Sequence, residues 1–399
     1  MHRFYIGIVI VLIGITLVFS ALAQDVQYKV IPVYSPLGPS DVVFGLSMNN
    51  GGALALTDYG QNGQQEQAFE WKSNKGLVLT LLGGQCSSAA GINEAGHIVG
   101  GACPPGETLP HAYLYRKSGT LDLGTFGGIA AGGVGINRHD EVAGSYMLSD
   151  GTYNGFFWQR KGWSDLGSLG GSFTYAYDLN DSSVVTGQSD ISNIPDPTFG
   201  IPPFHGYQWS GGVLTDFGAI FGSNFNDGSS INDAGAIAGS ADVAGDTGAN
   251  AIVWNNGVVQ NLSPYGNITV WGSGINSQGD VIGSWGSVDP DPSDGPPVSV
   301  MLCPCYAVLW QNGQPTFLND VVPPSWNLML GVAINDRGEI LAQAQLENGL
   351  LQMVLLKPLV GAAERSLATA NMPPRSGRES KGNGPRMIRR EQGGFREIY

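Results

Sequence analysis

Basic side chains are scarce in this sequence until its end. Residues 24–358 hold 10 Lys/Arg against 29 Asp/Glu, a net of −19. So acidic a body repels phosphate backbones, which excludes nucleic acid as a partner. Histidine is sparse, with five in 399 residues, and none stands in a His-Glu-x-x-His pair. Gly-x-Ser-x-Gly and phosphate-binding loops are missing as well, so no nucleophile or nucleotide site is announced. The four cysteines lack neighbouring His ligands and make a poor zinc set. Neither a metal nor a cofactor is expected.

Long apolar runs are missing too, except at the start. Phe4 to Phe19 is apolar, follows Met1-His2-Arg3 and leads to Ala21-Leu22-Ala23. A short basic region, an apolar segment and an Ala-x-Ala site predict a signal peptide over 1–23, cleaved after Ala23. The run is short for a span of about 20 residues, so no stable membrane span is expected after cleavage. A secreted, periplasmic or cell-surface location follows. At the other end, residues 359–399 hold 8 Lys/Arg against 4 Asp/Glu. This Gly/Pro/Arg-rich stretch lacks a core pattern and is expected to be a disordered basic tail.

Glycine is plentiful, with 60 residues, and its placement is periodic. Gly91-Ile92-Asn93-Glu94-Ala95-Gly96 recurs around Asn137, Asn180, Asn232, Asn276 and Asn335, with a worn first copy at Asn49. The steps between these asparagines are 44, 44, 43, 52, 44 and 59 residues. Third-strand aromatics keep pace at Trp71, Tyr115, Trp158, Trp209, Trp254 and Trp310. Each copy reads as four short strands joined by tight turns, which predicts an all-β, seven-bladed β-propeller over 24–358. Its blades are four-stranded and antiparallel. The last copy lacks a fourth strand, and the segment Gln27–Val33 can supply it and close the ring.

These positions also resemble a known family. Gly-Ile-Asn-x-x-Gly, then His111-Ala112-Tyr113, then Asp122-Leu123-Gly124 is similar to the HAF family of bacterial extracellular repeats, over about residues 28–357. The resemblance implies an exported repeat protein and assigns no reaction.

Several residues invite a functional reading. The repeated asparagines, Asn93, Asn137, Asn180, Asn232, Asn276 and Asn335, are expected to form turns, because Asn and Gly tolerate positive φ. Trp71, Trp158, Trp209, Trp254 and Trp310 are expected in the core. Asp122, Asp165, Asp216 and Asn261 look like blade-to-blade hydrogen-bonding residues. His111 and His205 open third strands where other copies carry Gln67, Asn154, Asn250 and Tyr306, so they read as loop-edge polar residues. If Asn93 and Gly96 close their turn, the register places Cys86 opposite Cys103, close enough for a disulfide. Cys303 and Cys305, one residue apart, are free, bridged elsewhere or part of a metal site. Asp289–Gly295 has alternating acids, but its prolines and the lack of a following Glu argue against a calcium loop.

The two long steps fall in the loops between second and third strands, at Asp190–Pro203 and Ser287–Cys305. With the crossover loops they define one variable, aromatic face. Tyr175, Tyr177, Phe204, Phe225, Tyr265, Trp271 and Trp326 are the candidate ligand-binding residues there. Inner strands rich in Ala, Gly, Ser and Ile suit crowding at an axis rather than proton transfer. The expected molecule is a non-catalytic, monomeric scaffold binding a protein or glycan; the competing reading is a polysaccharide lyase or hydrolase with channel carboxylates.

Overall fold

The computed structural model describes residues 27–38, 42–60, 66–245, 248–263, 269–286 and 305–359. The signal segment, Tyr265, Asp289–Gly295, Cys303 and the tail beyond Leu359 lie outside the described residues. Every regular element described is a strand, apart from one 3-10 turn at Leu318–Asp320. That turn stands where the sixth repeat departs from Asp-Leu-Gly.

Each repeat folds as an antiparallel meander. In the second, Ser87–Ile92, Ile98–Ala102, His111–Arg116 and Gly119–Gly124 pair in chain order. Five sheets hold four strands, and a sixth holds nine. The nine are the fourth and fifth repeats, joined by one parallel bridge between Phe204 and Phe225. The sheet of the last repeat takes Tyr28–Pro32 as its outer strand, paired antiparallel with Leu351–Pro358.

The apolar residues meet between consecutive sheets. Ala53, Ala55 and Ala68 of the first repeat pack on Ala89, Ile98 and Tyr113 of the second. Similarly, Leu341 and Leu355 of the last repeat share a cluster with Leu54, Phe69 and Trp71 of the first. Stacking sheets this way buries both faces of the middle strands, which explains their nearly unbroken burial.

The Asn turn is one residue longer than the sequence suggests. Asn93 N–H donates to His97 O at 3.0 Å, and Gly96 N–H to Asn93 O at 3.0 Å. Gly96 carries the left-handed conformation, at φ +76°, as three-residue hairpin loops require. The asparagine itself is not left-handed. It works through its side chain, whose Oδ1 accepts from Ala95 N–H at 3.1 Å and His97 N–H at 3.0 Å. A bulge then skips Ala90 and restores the anticipated register, so that Ser87 faces Ala102. Cys86 and Cys103 are therefore adjacent after all, bonded with Cα atoms 5.2 Å apart.

The same asparagines link the repeats. Each Nδ2 donates to the main-chain oxygen of the next repeat's asparagine, over 3.0–3.4 Å. The last of these links runs from Asn335 to Asn49 at 3.2 Å.

Candidate functional site

The first strand of every repeat borders one cavity of about 590 Å³. Bulges decide which side chains reach it. The register of the first strand skips Leu46, Ala90, Val134, Tyr177, Ser273 and Val332, and the fifth repeat breaks its first strand at Asp227–Ser229. A bulged residue is freed from the ladder and can be re-aimed. All six skipped residues, with Ser229 at the break, line the cavity.

The position two residues before each repeat asparagine is small in every repeat but the fourth. Asp178 occupies the column filled by Ser47, Gly91, Gly135, Ser230, Gly274 and Ala333. Its Oδ1 accepts from Leu179 N–H at 2.8 Å, and its Oδ2 accepts from Ser230 Oγ at 2.8 Å and Ile231 N–H at 2.9 Å. Asp227 accepts from Ser229 Oγ at 2.6 Å and from Ser240 Oγ. Both aspartates are half-buried and line the cavity. Desolvation lifts both above the ordinary aspartate range against the pull of their hydrogen bonds. Burial first, and then the charge of Asp227, push the Tyr177 hydroxyl well above its ordinary value.

The inner wall thus carries two acids on strands expected to be rich in Ala, Gly, Ser and Ile. Asp178 departs from a small-residue column and so is legible in the sequence, whereas Asp227 shares its column with Phe44, Tyr175, Trp271 and Leu330 and is not. In the sequence Asp178 also stands within one more copy of the Gly-Ile-Asn motif, Asp178-Leu179-Asn180.

At the cavity's constant end stand the residues that follow the repeat asparagines. Glu94 accepts from Asn50 N–H at 2.8 Å, Asp181 from Arg138 N–H at 2.8 Å, and Asp233 from Asp181 N–H at 2.9 Å. Asp336 accepts from Ser277 N–H at 2.9 Å. Arg138 is the one cation among the described lining residues, and Asp181 Oδ2 lies 3.6 Å from its Nε.

The opposite end is aromatic. The Asp190–Pro203 insertion is folded on itself by Asp196, which accepts from Thr198 N–H at 2.7 Å and donates its own N–H to Ile201 O at 2.8 Å. This sets Phe199 edge-on to Phe225 at 4.7 Å, and Phe225 edge-on to Phe204 at 5.4 Å. Tyr177, Phe199, Phe204, Phe225 and Trp271 all border the cavity. Phe199, an aromatic that the sequence also places on the variable face, joins the candidate ligand-binding residues here.

Two candidates lie elsewhere. Tyr175 is outside the cavity, 5.3 Å from Tyr153 and 6.2 Å from Phe173 in an aromatic stack. Trp326 packs on the core between the last two sheets. Beside Tyr175, burial raises the Asp190 carboxyl to about 7, with Phe173 N–H pulling the other way.

The remaining candidates are accounted for by packing and hydrogen bonds. Trp71, Trp209, Trp254 and Trp310 are buried, whereas Trp158 is half-buried at the edge of its cluster. Asp122, Asp165, Asp216 and Asn261 do not join blades. Each accepts, within its own sheet, the N–H two residues on, at 2.6–2.9 Å. His111 Nδ1 and His205 Nδ1 meet Asp122 and Asp216 of the same sheets at 3.0 and 2.8 Å. Contact between repeats falls instead to residues such as Asp140, which binds His97 at 2.6 Å and Arg116 at 2.9 Å. Cys305 is disulfide-bonded, which removes it from the free-thiol and metal readings.

No family model matches the chain, and no curated protein matches it. Solved structures do. The β-propeller domain of the Trilobed protease from Pyrococcus furiosus superposes with a TM-score of 0.54 at 8% identity, over 81% of this chain and 96% of that one. An acylaminoacyl peptidase from Pyrococcus horikoshii gives a TM-score of 0.48 at 11% identity, over 82% of this chain and 54% of the peptidase. The first of these, with the meander sheets, defines the class: the chain has a β-propeller-like repeat fold.

Proposed function

We propose that this is an exported, seven-bladed propeller of the HAF type whose channel mouth binds a glycan or protein ligand. Seven asparagine links that return to Asn49, and the outer strand Tyr28–Pro32 on the last sheet, support seven blades closed into a ring. The Cys86–Cys103 bond supports export, since disulfides persist in oxidising compartments. The observation that carries the binding role is the convergence of Tyr177, Phe204, Phe225 and Trp271 on a cavity of about 590 Å³. That volume and mixed lining are those of ligand pockets.

A glycan array followed by titration of the hits tests the reading. Trp271→Ala is expected to weaken the bound ligand by about tenfold or more, as loss of a buried aromatic anchor does. Unchanged affinity would remove the channel mouth from the proposal. A second reading, a polysaccharide-acting enzyme, is favoured by Asp227, whose raised carboxyl could donate a proton. Turnover of a polysaccharide that Asp227→Asn abolishes would replace binding by catalysis.

A further inference from the structure

We infer that the channel takes a ligand bearing an ammonium group, held by Asp178 and Asp227 against the ring of Tyr177. The inference rests on the proposed binding site and names the chemistry of its occupant.

Asp178 receives two main-chain N–H groups, from Leu179 and Ile231, which can only donate. A site that offers donors to both oxygens is built for the ionised carboxylate. Yet no Lys, Arg or His among the described residues lies within ion-pair distance of Asp178 or Asp227. Arg138, the cation at the constant end, already faces Asp181 at 3.6 Å. A carboxylate held in a channel wall without a counter-charge is costly, and a chain that hangs two of them from the adjacent Ser229 and Ser230 has left the counter-charge to the occupant.

The surroundings select the kind of cation. Among the described residues no group of three or more His, Cys, Asp or Glu could hold a metal ion, so a compact divalent ion lacks its ligands. Tyr177, Trp271 and Phe225 line the same cavity. Aromatic faces beside carboxylates are how proteins hold ammonium groups on organic bodies. Acidic glycans are excluded by the same wall, and the net charge of −19 over 24–358 draws cations toward it. An amino sugar, a polyamine and a lysine side chain share this chemistry.

Calorimetric titration of the full chain with a glucosamine trimer, its N-acetylated counterpart, spermidine and Nα-acetyl-lysine amide separates these sources. The free-amine trimer is expected to bind about 30-fold or more tighter than the acetylated one, as for a buried charge pair. Asp227→Asn and Asp178→Asn should each remove that advantage, with a thermal melt showing that the fold persists. If Asp178→Asn unfolds the sheet it pins, Asp227→Asn and Tyr177→Leu, which removes the aromatic face, carry the test. Equal binding of the two trimers overturns the ammonium inference and leaves the glycan site standing. Binding of the amines that neither variant weakens also overturns it. Failure of all four probes overturns it too, and the glycan array then decides the fate of the site separately.

Discussion

Asn180 shows how one side chain serves two levels of structure. Its Oδ1 caps its own turn, accepting from Ser182 and Val184 N–H at 3.0 Å, while its Nδ2 donates to Asn232 O at 3.0 Å. Asn180→Ala leaves buried groups unmatched and is expected to cost about 2 to 3 kcal/mol in denaturant unfolding. Asn180→Asp keeps the cap but places an oxygen against Asn232 O. If Asn180→Asp matches wild type in the same unfolding curve, the link between repeats contributes nothing. Asp190 offers a pH-dependent case. Its folded pKa of about 7 lies above the ordinary value, so the folded chain keeps a proton that the unfolded chain has released. This group therefore costs stability as pH rises from about 4 to 7. Asp190→Asn should raise the melting temperature more at pH 8 than at pH 4, and equal shifts would show Asp190 to be ionised freely.

At the scale of the element, the hairpin was legible and its irregularity was not. Repetition of Asn-x-x-Gly gave away the turn, the strand pair and the meeting of Cys86 with Cys103. The sequence did not distinguish closure at Gly96 from closure at His97, because a bulge at Ala90 compensates one residue for the other. Bulges leave no mark in composition: the skipped residue is Leu46 in one repeat, Ser273 in another and Tyr177 in a third. For that reason the cavity wall was not legible in the sequence, although Asp178 stands out of its small-residue column. The disulfide spans 17 residues, a loop whose closure contributes about 3 kcal/mol in the chain-entropy account. The paired variant Cys86→Ser/Cys103→Ser should lose about that much, read from its melting curve in the absence of reductant. A loss below 1 kcal/mol would show that the hairpin is held by its ladder alone.

For the whole molecule, the outer strand Tyr28–Pro32 and Val33 matter most. Tyr28 and Val33 are buried, in clusters that include residues of the sixth and seventh and of the seventh and first repeats respectively. Deleting residues through Val33 uncovers the edge of Leu351–Pro358 and removes those side chains. The expected loss is about 4 kcal/mol or more from apolar burial, with the newly open edge prone to association. Size-exclusion chromatography and a melt of the truncated chain check this; a monomer of unchanged melting temperature would show the last sheet complete without it. The bulges have another consequence at this scale. Six repeats hand the cavity one residue skipped by the strand register and the fifth adds Ser229 at its break, so the wall spells a seven-place word: Leu46, Ala90, Val134, Tyr177, Ser229, Ser273, Val332. Any one letter can be rewritten without disturbing the register of its sheet. Descendants of this gene can therefore change what the channel accepts by single, local steps.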